Sequence, residues 1–572
     1  MRAARGRTAR PVAVAVLATA LAAACAGGDP ELDLGVPGPL VVANRGGELT
    51  LAVERMVSPG WTPSRSPCDH SCELVVSAVI DPIAVFDDTD EPVPHLVAAI
   101  EPVIDVGEGA VPFGSWDLVM RPDRITFPDG TRLTPSILAA NLLAHRAPDA
   151  LAAGAVPLHS VEIVDPTTVR VHFAEDGGVA GSSAWVEFPA ALTGPLGWIV
   201  HPDDLVDPID RLPRGTGPFV AAAATSTSLR LERREDHWRS GADGAALPMV
   251  DAIEVEVSPS EAVRRRRVEI DNLDLAIASE PLRRGDLEEV PATTAVPAPV
   301  DGLLVGPSPD VLALVLNSAS TDSLGAANPW ADEANRLALL GCLDPAGLVR
   351  ELPEQAEPAT GLFPPGVPGH VADPALTPPD ALDAAAHLRG LGVSGVRVVS
   401  GPEDGAQELV DELARQLGQG CDVDVVSLGL ASVELDQAIE RGEFDLVLLR
   451  LSGGQDPDTQ FARWSSGSVV AVDDSGANVG RVVDERVDAA LGLIRTVPDP
   501  AVRTAAAIEL GRALSESGRA LWLAWFAPAV AVGDGLVGLG ADRTAEGVPL
   551  RHPTFGAFSL ATVGSAAAVP PP

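Results

Sequence analysis

The chain has 572 residues, 46% of them hydrophobic, which is enough for roughly two to four domains with packed cores. Its 40 basic residues are outnumbered by 80 acidic ones, and the formal net charge of −40 argues against a nucleic-acid partner, because the protein would repel the phosphates. All the basic residues are arginines, so phosphate loops that end in Gly-Lys and lysine Schiff-base chemistry are excluded as well.

Residues 1–25 predict a secretory signal peptide. Four arginines precede an apolar run from Val12 to Ala24, which is shorter than the roughly 20 residues of a membrane-spanning helix. The alanines before Cys25 resemble a bacterial lipobox, in which the cysteine receives a lipid; that pattern prefers leucine where Ala22 stands. The alternative is an ordinary cleaved signal with a chance cysteine. Either interpretation predicts an extracytoplasmic protein, and the lipobox predicts one that is lipid-anchored to the cell membrane.

After the signal peptide, the sequence predicts a tether that is followed by strands. Residues 26–44 are rich in glycine, proline and acidic residues without periodicity, so we expect a flexible tether there. Alternation of polar and apolar residues from Glu48 to Val53 predicts the first strand. Similar runs predict further strands at 161–164, 168–173 and 253–257.

Four cysteines remain after the lipobox cysteine, an even number that suits disulfides in an oxidising compartment. They allow three pairings, of which we favour a small loop closed by Cys68 and Cys72 and a later bridge between Cys342 and Cys421. The run from Cys68 to Cys72 also contains an aspartate and a histidine, which would permit a metal site. Its spacing lacks the paired two-residue gaps of structural zinc motifs, so we predict no metal.

The region 393–450 alternates strands with helices. Apolar runs predict strands near 396–399, 423–426 and 444–449, with helices between them over 409–417 and 433–440. Elements of this length in alternation predict βαβ units and a parallel sheet. Ligands bind beyond the carboxyl ends of the strands in such sheets, which points to the residues from Arg450 onward. A further helix is predicted upstream of this unit, over 332–342.

Short motifs follow one another in an order that resembles a known family. They are GGELT at 46–50, PVPHL at 92–96, WDL at 116–118, FPDGT at 127–131, GTGPF at 215–219, LERREDHW at 231–238, NRLA at 335–338, PPG at 364–366 and FDL at 444–446. Together they resemble the extracytoplasmic solute-binding proteins of the oligopeptide, dipeptide and nickel ABC transporters, family 5, over about residues 45–545.

This resemblance implies an α/β, two-lobed periplasmic-binding-protein-like fold of type II, cluster C, with an additional domain inserted in the first lobe. The lobes of such a protein close about a hinge on a ligand, which is then delivered to the membrane permease of an ABC importer. We expect a monomer with no cofactor and no enzymatic activity. The boundaries expected from the resemblance are lobe I at 45–78, 213–300 and 525–560, the inserted domain at 79–212, and lobe II at 301–524.

One position departs from the pattern of the peptide-binding members. They place an aspartate after the third strand of the α/β unit, where it pairs with the α-ammonium of a peptide, and Gly453 stands there in this chain. A buried ammonium without its carboxylate is costly, so we expect a ligand without a free α-ammonium. The nearby Asp456 is predicted to be a turn residue before proline, and the alternative is a ligand contact. The expected ligand contacts are Trp61, Arg450, Ser452, Gly453, Gln455 and Trp464, and the alternative for both tryptophans is packing in the core.

The sequence leaves two functions open. The first is the substrate-binding lipoprotein of an ABC importer for a peptide or another small polar solute. The second is a ligand-binding sensor or surface lipoprotein of the same fold that does not transport, which the missing amine anchor favours. A secreted hydrolase is disfavoured, because neither a Gly-x-Ser-x-Gly elbow nor a His-Glu-x-x-His motif occurs in the chain.

Overall fold

The structure is a computed structural model that describes residues 44–58, 60–103, 111–147, 150, 156–173, 184–206, 212–241, 244–282, 302–307, 309–352, 356–372, 376–401, 405–452, 456–468 and 478–566. None of the helices in these residues combines the length and the apolarity that crossing a membrane requires.

The strands of the described part are mostly short. They are β1 Glu48–Val53, β2 Ala84–Phe86, β3 Pro92–Pro94, β4 Val97–Pro102, β5 Ser115–Met120, β6 Leu158–Asp165, β7 Thr168–Phe173, β8 Phe219–Ala224, β9 Ser228–Arg233, β10 Ala252–Val257, β11 Leu275–Pro281, β12 Leu303–Val305, β13 Asp310–Leu316, β14 Gly395–Ser400, β15 Asp424–Gly429, β16 Leu446–Ser452, β17 Ala520–Val532, β18 Leu536–Val537 and β19 Gly564–Ser565.

Helices flank these strands, and short 3-10 turns occur at 195–197, 329–331, 457–460 and 466–468. The α-helices are α1 His70–Val79, α2 Pro135–Ala144, α3 Phe188–Ala191, α4 Pro202–Val206, α5 Glu261–Glu269, α6 Glu333–Gly341, α7 Pro345–Val349, α8 Ala381–Leu391, α9 Ala406–Cys421, α10 Ser432–Arg441, α11 Phe461–Trp464, α12 Glu485–Thr496 and α13 Pro500–Glu516.

The largest sheet contains 11 strands in the order β15-β14-β16-β13-β17-β11-β1-β10-β9-β8, with β12 also paired to β17. Near one end β14 runs parallel to β15 and β16, and in the other half β1 runs parallel to β10 and β11. The central strand β17 is buried along all 13 of its residues, which explains why its sequence is apolar throughout instead of alternating.

Strand β17 joins the two lobes of the α/β fold. The first half of this strand, up to Phe526, pairs with β13, and the half from Phe526 to Val532 pairs with β11. Pro528, which has no N–H to donate, lies where the neighbour on one side changes from β13 to β12. The predicted boundary at 524/525 falls within β17, and β12 pairs with the half that also pairs with β11. The exact lobe boundaries stay predictions.

The predicted βαβ unit is confirmed in lobe II. Strands β14, β15 and β16 are parallel neighbours, and α9 and α10 lie between them in the chain. The apolar stripe of α9 is buried against this sheet, as its helical spacing indicates. The helix predicted over 332–342 is α6, which begins after Asp332 because that carboxylate accepts hydrogen bonds from the N–H groups of Ala334 and Asn335.

Residues 79–212 contain a separate antiparallel sheet with the strand order β4-β5-β7-β6. Its inner face packs on α2 and α3 around a core of its own, which includes Leu118, Phe127, Leu138, Val169 and Phe188. Strand β7 alternates between buried and partly exposed residues, as expected of a sheet with one face in the core. This arrangement suits the inserted domain that the sequence predicts, whose limits stay a prediction.

Candidate functional site

Helix α1 begins inside a small disulfide loop. Cys68 and Cys72 are bonded, with their Cα atoms 5.2 Å apart. Between them, Asp69 caps the helix by accepting a hydrogen bond from the N–H of Cys72 at 2.8 Å. The guanidinium of Arg55, in the loop after β1, contacts the same carboxylate at 2.7 Å. The loop therefore fixes the first turn of α1, which carries His70.

His70 connects α1 to the first residue of β13. Its Nε2 lies 2.5 Å from Oδ2 of Asp310, and its Nδ1 lies 3.4 Å from the carboxylate of Glu73 one turn later. The Thr554 hydroxyl donates a hydrogen bond to Glu73 at 2.5 Å. Asp310 itself is buried between β16 and β17. A side chain of the first helix thus meets the strand ends at which the sequence predicts the ligand.

We call the place where His70 of α1 meets Asp310 of β13 the junction of the lobes. The positive and negative charges at this junction shift one another's pKa values. Burial acts to lower the pKa of His70, but Asp310 and Glu73 outweigh it and raise that pKa to about 10. Burial acts to raise the pKa of Glu73, but the combined effects of His70, His552 and the Thr554 hydroxyl lower it overall. Desolvation lowers the pKa of the Arg463 guanidinium, against the opposing charges of Asp310 and Glu73. His70, Asp310 and Glu73 therefore lie together where the lobes meet, and Arg463 is close enough to interact electrostatically with both carboxylates.

Replacing His70 with glutamine should remove a pH dependence of stability. Because the pKa of about 10 in the folded protein lies above the ordinary 6.5, the contribution of His70 is complete below pH 6.5 and is lost as the pH rises through 10. We expect the wild type to lose about 1–3 kcal/mol of unfolding free energy relative to the variant over that window, measured by denaturant titration.

The matched control for this prediction is His552→Gln. Burial lowers the pKa of His552 to about 4, so its ring is neutral throughout the same window and its replacement should leave the slope unchanged. Equal pH slopes for the wild type and His70→Gln would contradict a charged His70.

Arg450 lies on the same face of the sheet as Asp310. On β16, Arg450 is the neighbour of Leu312 of β13. Leu312 and Asp310 are two residues apart on β13, so their side chains lie on the same face of the sheet, and that of Arg450 lies there too. Its guanidinium is 4.3 Å from the ring centroid of Phe526, which pairs with Asp310 on β17. Arg450 is exposed, and Phe526 beneath it is buried. The predicted contact residue Arg450 is therefore placed beside the junction of the lobes.

A second contact joins the segment 184–188 to lobe II. Trp185 donates its indole N–H to Asp458 at 2.8 Å, and the guanidinium of Arg495 contacts the same carboxylate at 2.9 and 3.2 Å. The guanidinium also lies 4.6 Å from the ring centroid of Trp185 and 3.4 Å from that of Phe461. All four side chains are buried, so this contact is an ion pair enclosed by aromatic rings.

Asp456 begins the 3-10 turn beside this ion pair. Its Oδ1 accepts a hydrogen bond from the N–H of Asp458 at 3.0 Å, which confirms its predicted role as a turn residue. Burial, together with the charges of Asp458 and Glu187, raises the pKa of Asp456 to about 8.

The two predicted tryptophans lie in cores. Trp61 is 3% exposed, donates its N–H to the carbonyl of Pro67 at 3.0 Å and packs on Trp198 at 5.9 Å. Trp464 is 2% exposed, donates to Oε1 of Gln460 at 3.2 Å and meets the ring of Trp522 edge-on. These contacts suit the alternative of core packing, and a ligand contact for either residue stays a prediction.

The remaining predicted positions surround the end of β16 or lie outside the described residues. Ser452 ends β16, where it pairs with Asp310 in the sheet. Gly453 and Gln455 lie outside the described residues, as does the lipobox residue Cys25. Within the described part of the chain, no group of three or more His, Cys, Asp and Glu side chains is arranged to hold a metal ion.

The second disulfide lies in lobe II. Cys342, just after α6, is bonded to Cys421 at the end of α9, and their Cα atoms are 5.9 Å apart. Both side chains are buried in the core on one face of the lobe II sheet. The bridge closes a loop with a sequence separation of 79 residues and links α6 to the βαβ unit.

Three charged residues at the junction were not predicted from the sequence, namely His70, Asp310 and Arg463. The histidine within the disulfide loop was the available signal, since two bonded cysteines hold it at a helix N-terminus. Nothing local marks Asp310 or Arg463, because their partners lie far away in the chain.

Comparison with known proteins places this geometry in a family. Residues 115–471 match the family described as bacterial extracellular solute-binding proteins, family 5 Middle. A search of curated protein sequences returned no match.

Solved structures share the fold at low identity. AppA of Bacillus subtilis, in complex with a nonapeptide, has a TM-score of 0.69 at 15% identity and covers 92% of this chain and 100% of its own. DppA of Helicobacter pylori, in complex with the peptide STSA, has a TM-score of 0.70 at 15% identity and covers 92% of this chain and 99% of its own. AgaA of A. tumefaciens R10, in complex with agropinic acid, has a TM-score of 0.70 at 16% identity, with 91% and 99% covered.

The family match spans more than half of the chain, and the two-lobed sheet agrees with it. Proteins of this family are extracytoplasmic binding proteins, not enzymes, and they bind peptides or related solutes for ABC import. This chain belongs to the bacterial extracellular solute-binding proteins, family 5.

Proposed function

We propose that this protein is the substrate-binding lipoprotein of an ABC importer, working as a monomer. It captures a peptide or another small polar solute between its lobes and delivers it to the membrane permease. The observation that supports this most is the junction at the strand ends, where His70 of α1 meets Asp310 of β13. Closure at such a junction buries the ligand, and a permease can distinguish the closed, loaded state from the open one.

The ligand-contacting edge in this proposal is the end of β16, with Arg450, Ser452, Gly453 and Gln455. Its support is the register, which sets Ser452 opposite the buried Asp310. The similar structures hold a nonapeptide, the peptide STSA and agropinic acid, so the fold accommodates more than one ligand chemistry. Gly453 in place of the expected aspartate supports a ligand without a free α-ammonium.

The experiment is to purify the protein under non-denaturing conditions from its own membranes and to compare its native and denatured masses. We expect one small solute per chain, which mass spectrometry of the released fraction identifies. Uptake of that labelled solute is then measured in cells with and without the gene. Loss of uptake supports transport, whereas unchanged uptake with a bound solute supports the sensor. A protein that carries and binds no solute would contradict the proposal.

Replacing Cys25 with serine should release the protein from the membrane fraction. Serine has no thiol to receive the lipid, and no helix in the described residues could anchor the chain by itself. Fractionation followed by immunodetection measures the change, and the matched control is the double variant Cys68→Ser/Cys72→Ser, which leaves the lipobox intact. Equal membrane retention of Cys25→Ser and the wild type would count against a lipid on Cys25.

A further inference from the structure

Arg450 differs from the other charged groups at the junction in having no ionic partner within the described residues. His70 contacts Asp310 and Glu73, and the charge of Arg463 also opposes the charges of these two carboxylates. Within the described residues the Arg450 guanidinium forms no hydrogen bond or ion pair, and it lies 4.3 Å from the ring centroid of Phe526. Among the described residues, Arg450 therefore presents an unpaired positive charge at the strand ends, on a protein whose formal net charge is −40.

The stacking on Phe526 prepares this guanidinium for a planar partner. An arginine that lies over an aromatic face keeps the N–H groups at its edge free to donate, and two of them can donate in parallel to one carboxylate. Phe526 is buried in the sheet, so the platform itself is rigid. Less side-chain freedom is then lost when a ligand binds than with an arginine that extends freely into solvent.

We propose that Arg450 is the anion anchor of the cleft, and that the captured solute is a small organic acid whose carboxylate, or a planar anion of the same geometry, binds the Arg450 guanidinium. This inference rests on the proposed function, because it names the class of solute that the lobes enclose.

The rest of the junction agrees with an acid and not with an amine. Asp310 and Glu73 offer little to an ammonium ligand, because His70 contacts both carboxylates and the charge of Arg463 opposes theirs. The position at which peptide-binding members carry their aspartate is Gly453. The negative charge of the whole protein does not oppose this, since charges farther than the Debye length of about 8 Å are largely screened at physiological ionic strength.

The test compares the wild type with Arg450→Gln and with the control Arg389→Gln, an exposed arginine on α8 away from the junction. The solute carried by each purified protein is released and fractionated by anion exchange. Affinities are then measured by calorimetry for N-acetylated dipeptides and sugar acids, alongside the matching C-terminal amides and parent sugars. The thermal midpoint of each variant checks that it is folded.

We expect the released solute to be an anion and the acids to bind more tightly than their neutral counterparts. Arg450→Gln should weaken binding of the acids by about 10- to 100-fold, the range for a charge-assisted hydrogen bond, and Arg389→Gln should leave it unchanged. A neutral or cationic released solute, or an acid preference that persists in Arg450→Gln, overturns this inference and leaves the proposed function standing. A wild type that carries and binds no solute contradicts the proposed function itself.

Discussion

Replacing Asp458 with alanine should lower the free energy of unfolding by about 3–5 kcal/mol, the usual effect of removing one member of a buried ion pair. The carboxylate accepts from Arg495 at 2.9 and 3.2 Å and from the Trp185 indole at 2.8 Å, and all three side chains are at most 5% exposed. The variant leaves the guanidinium in an apolar enclosure without this counter-ion. Urea titration followed by tryptophan fluorescence measures the loss.

The matched control for Asp458 is an exposed ion pair in the same lobe. Glu509 lies 2.8 Å from Arg486, and both side chains are about half exposed, at 45% and 52%. Solvent screens such a pair, so Glu509→Ala should cost less than about 1 kcal/mol. Similar losses of unfolding free energy in the two variants would contradict a larger contribution from the buried Asp458 ion pair.

Removing the bridge between Cys342 and Cys421 should cost about 4 kcal/mol, less any strain in the native state. The bridge closes a loop with a sequence separation of 79 residues, and its loss restores that much freedom to the unfolded chain. The same relation gives about 2 kcal/mol for Cys68 and Cys72, whose separation is 4 residues. Denaturant titration of the two alanine double variants measures both values.

Two controls separate the covalent link from packing. The first control is the wild type with reduced thiols, which keeps the sulfur atoms in the core. Its free energy of unfolding, compared with that of the oxidised protein, gives the effect of the bond alone. The alanine variant also leaves a cavity at Cys421, which is 1% exposed. Labelling of the folded, oxidised protein should detect no free thiol at Cys342 or Cys421. Equal losses for both double variants would contradict the dependence on loop length.

Local sequence patterns predicted the elements of lobe II well. Leu409, Val410, Leu413 and Leu417 recur at helical spacing, and all four are buried on one side of α9. The strands that alternate with α9 and α10 are short apolar runs, of which β14 is largely buried and the edge strand β15 is largely exposed. These features depend on residues close in sequence, so a single sequence contains the information.

The junction could not be predicted in the same way. The contact between His70 and Asp310 spans 240 residues of sequence, and that between Glu73 and Thr554 spans 481. No periodicity encodes which distant side chains meet when two lobes pack. The family resemblance predicts a ligand-binding position at the end of β16. It carries no information on residues at which this chain differs from the family pattern.

The run of arginines at 264–267 shows the same limit. We interpret such a run as a solvated helix face, yet Arg264 is 2% exposed. Its guanidinium donates to the carbonyl oxygens of Ile277, Ser258 and Pro259, at 2.9, 2.6 and 2.7 Å. These backbone acceptors offset the cost of burying the charge. Two of these acceptors, Ser258 and Pro259, directly precede α5, and the third, Ile277, lies on β11, against which α5 packs.

The most direct test of the central claim is the distance between the lobes with and without the captured solute. Spin labels on Val263→Cys in α5 and Leu382→Cys in α8, at positions 50% and 82% exposed, report this distance by pulsed electron resonance. The account predicts a broad distribution for the empty protein and a single shorter distance once the solute released from the native protein is added back. A distribution that the bound solute leaves unchanged would contradict capture by lobe closure.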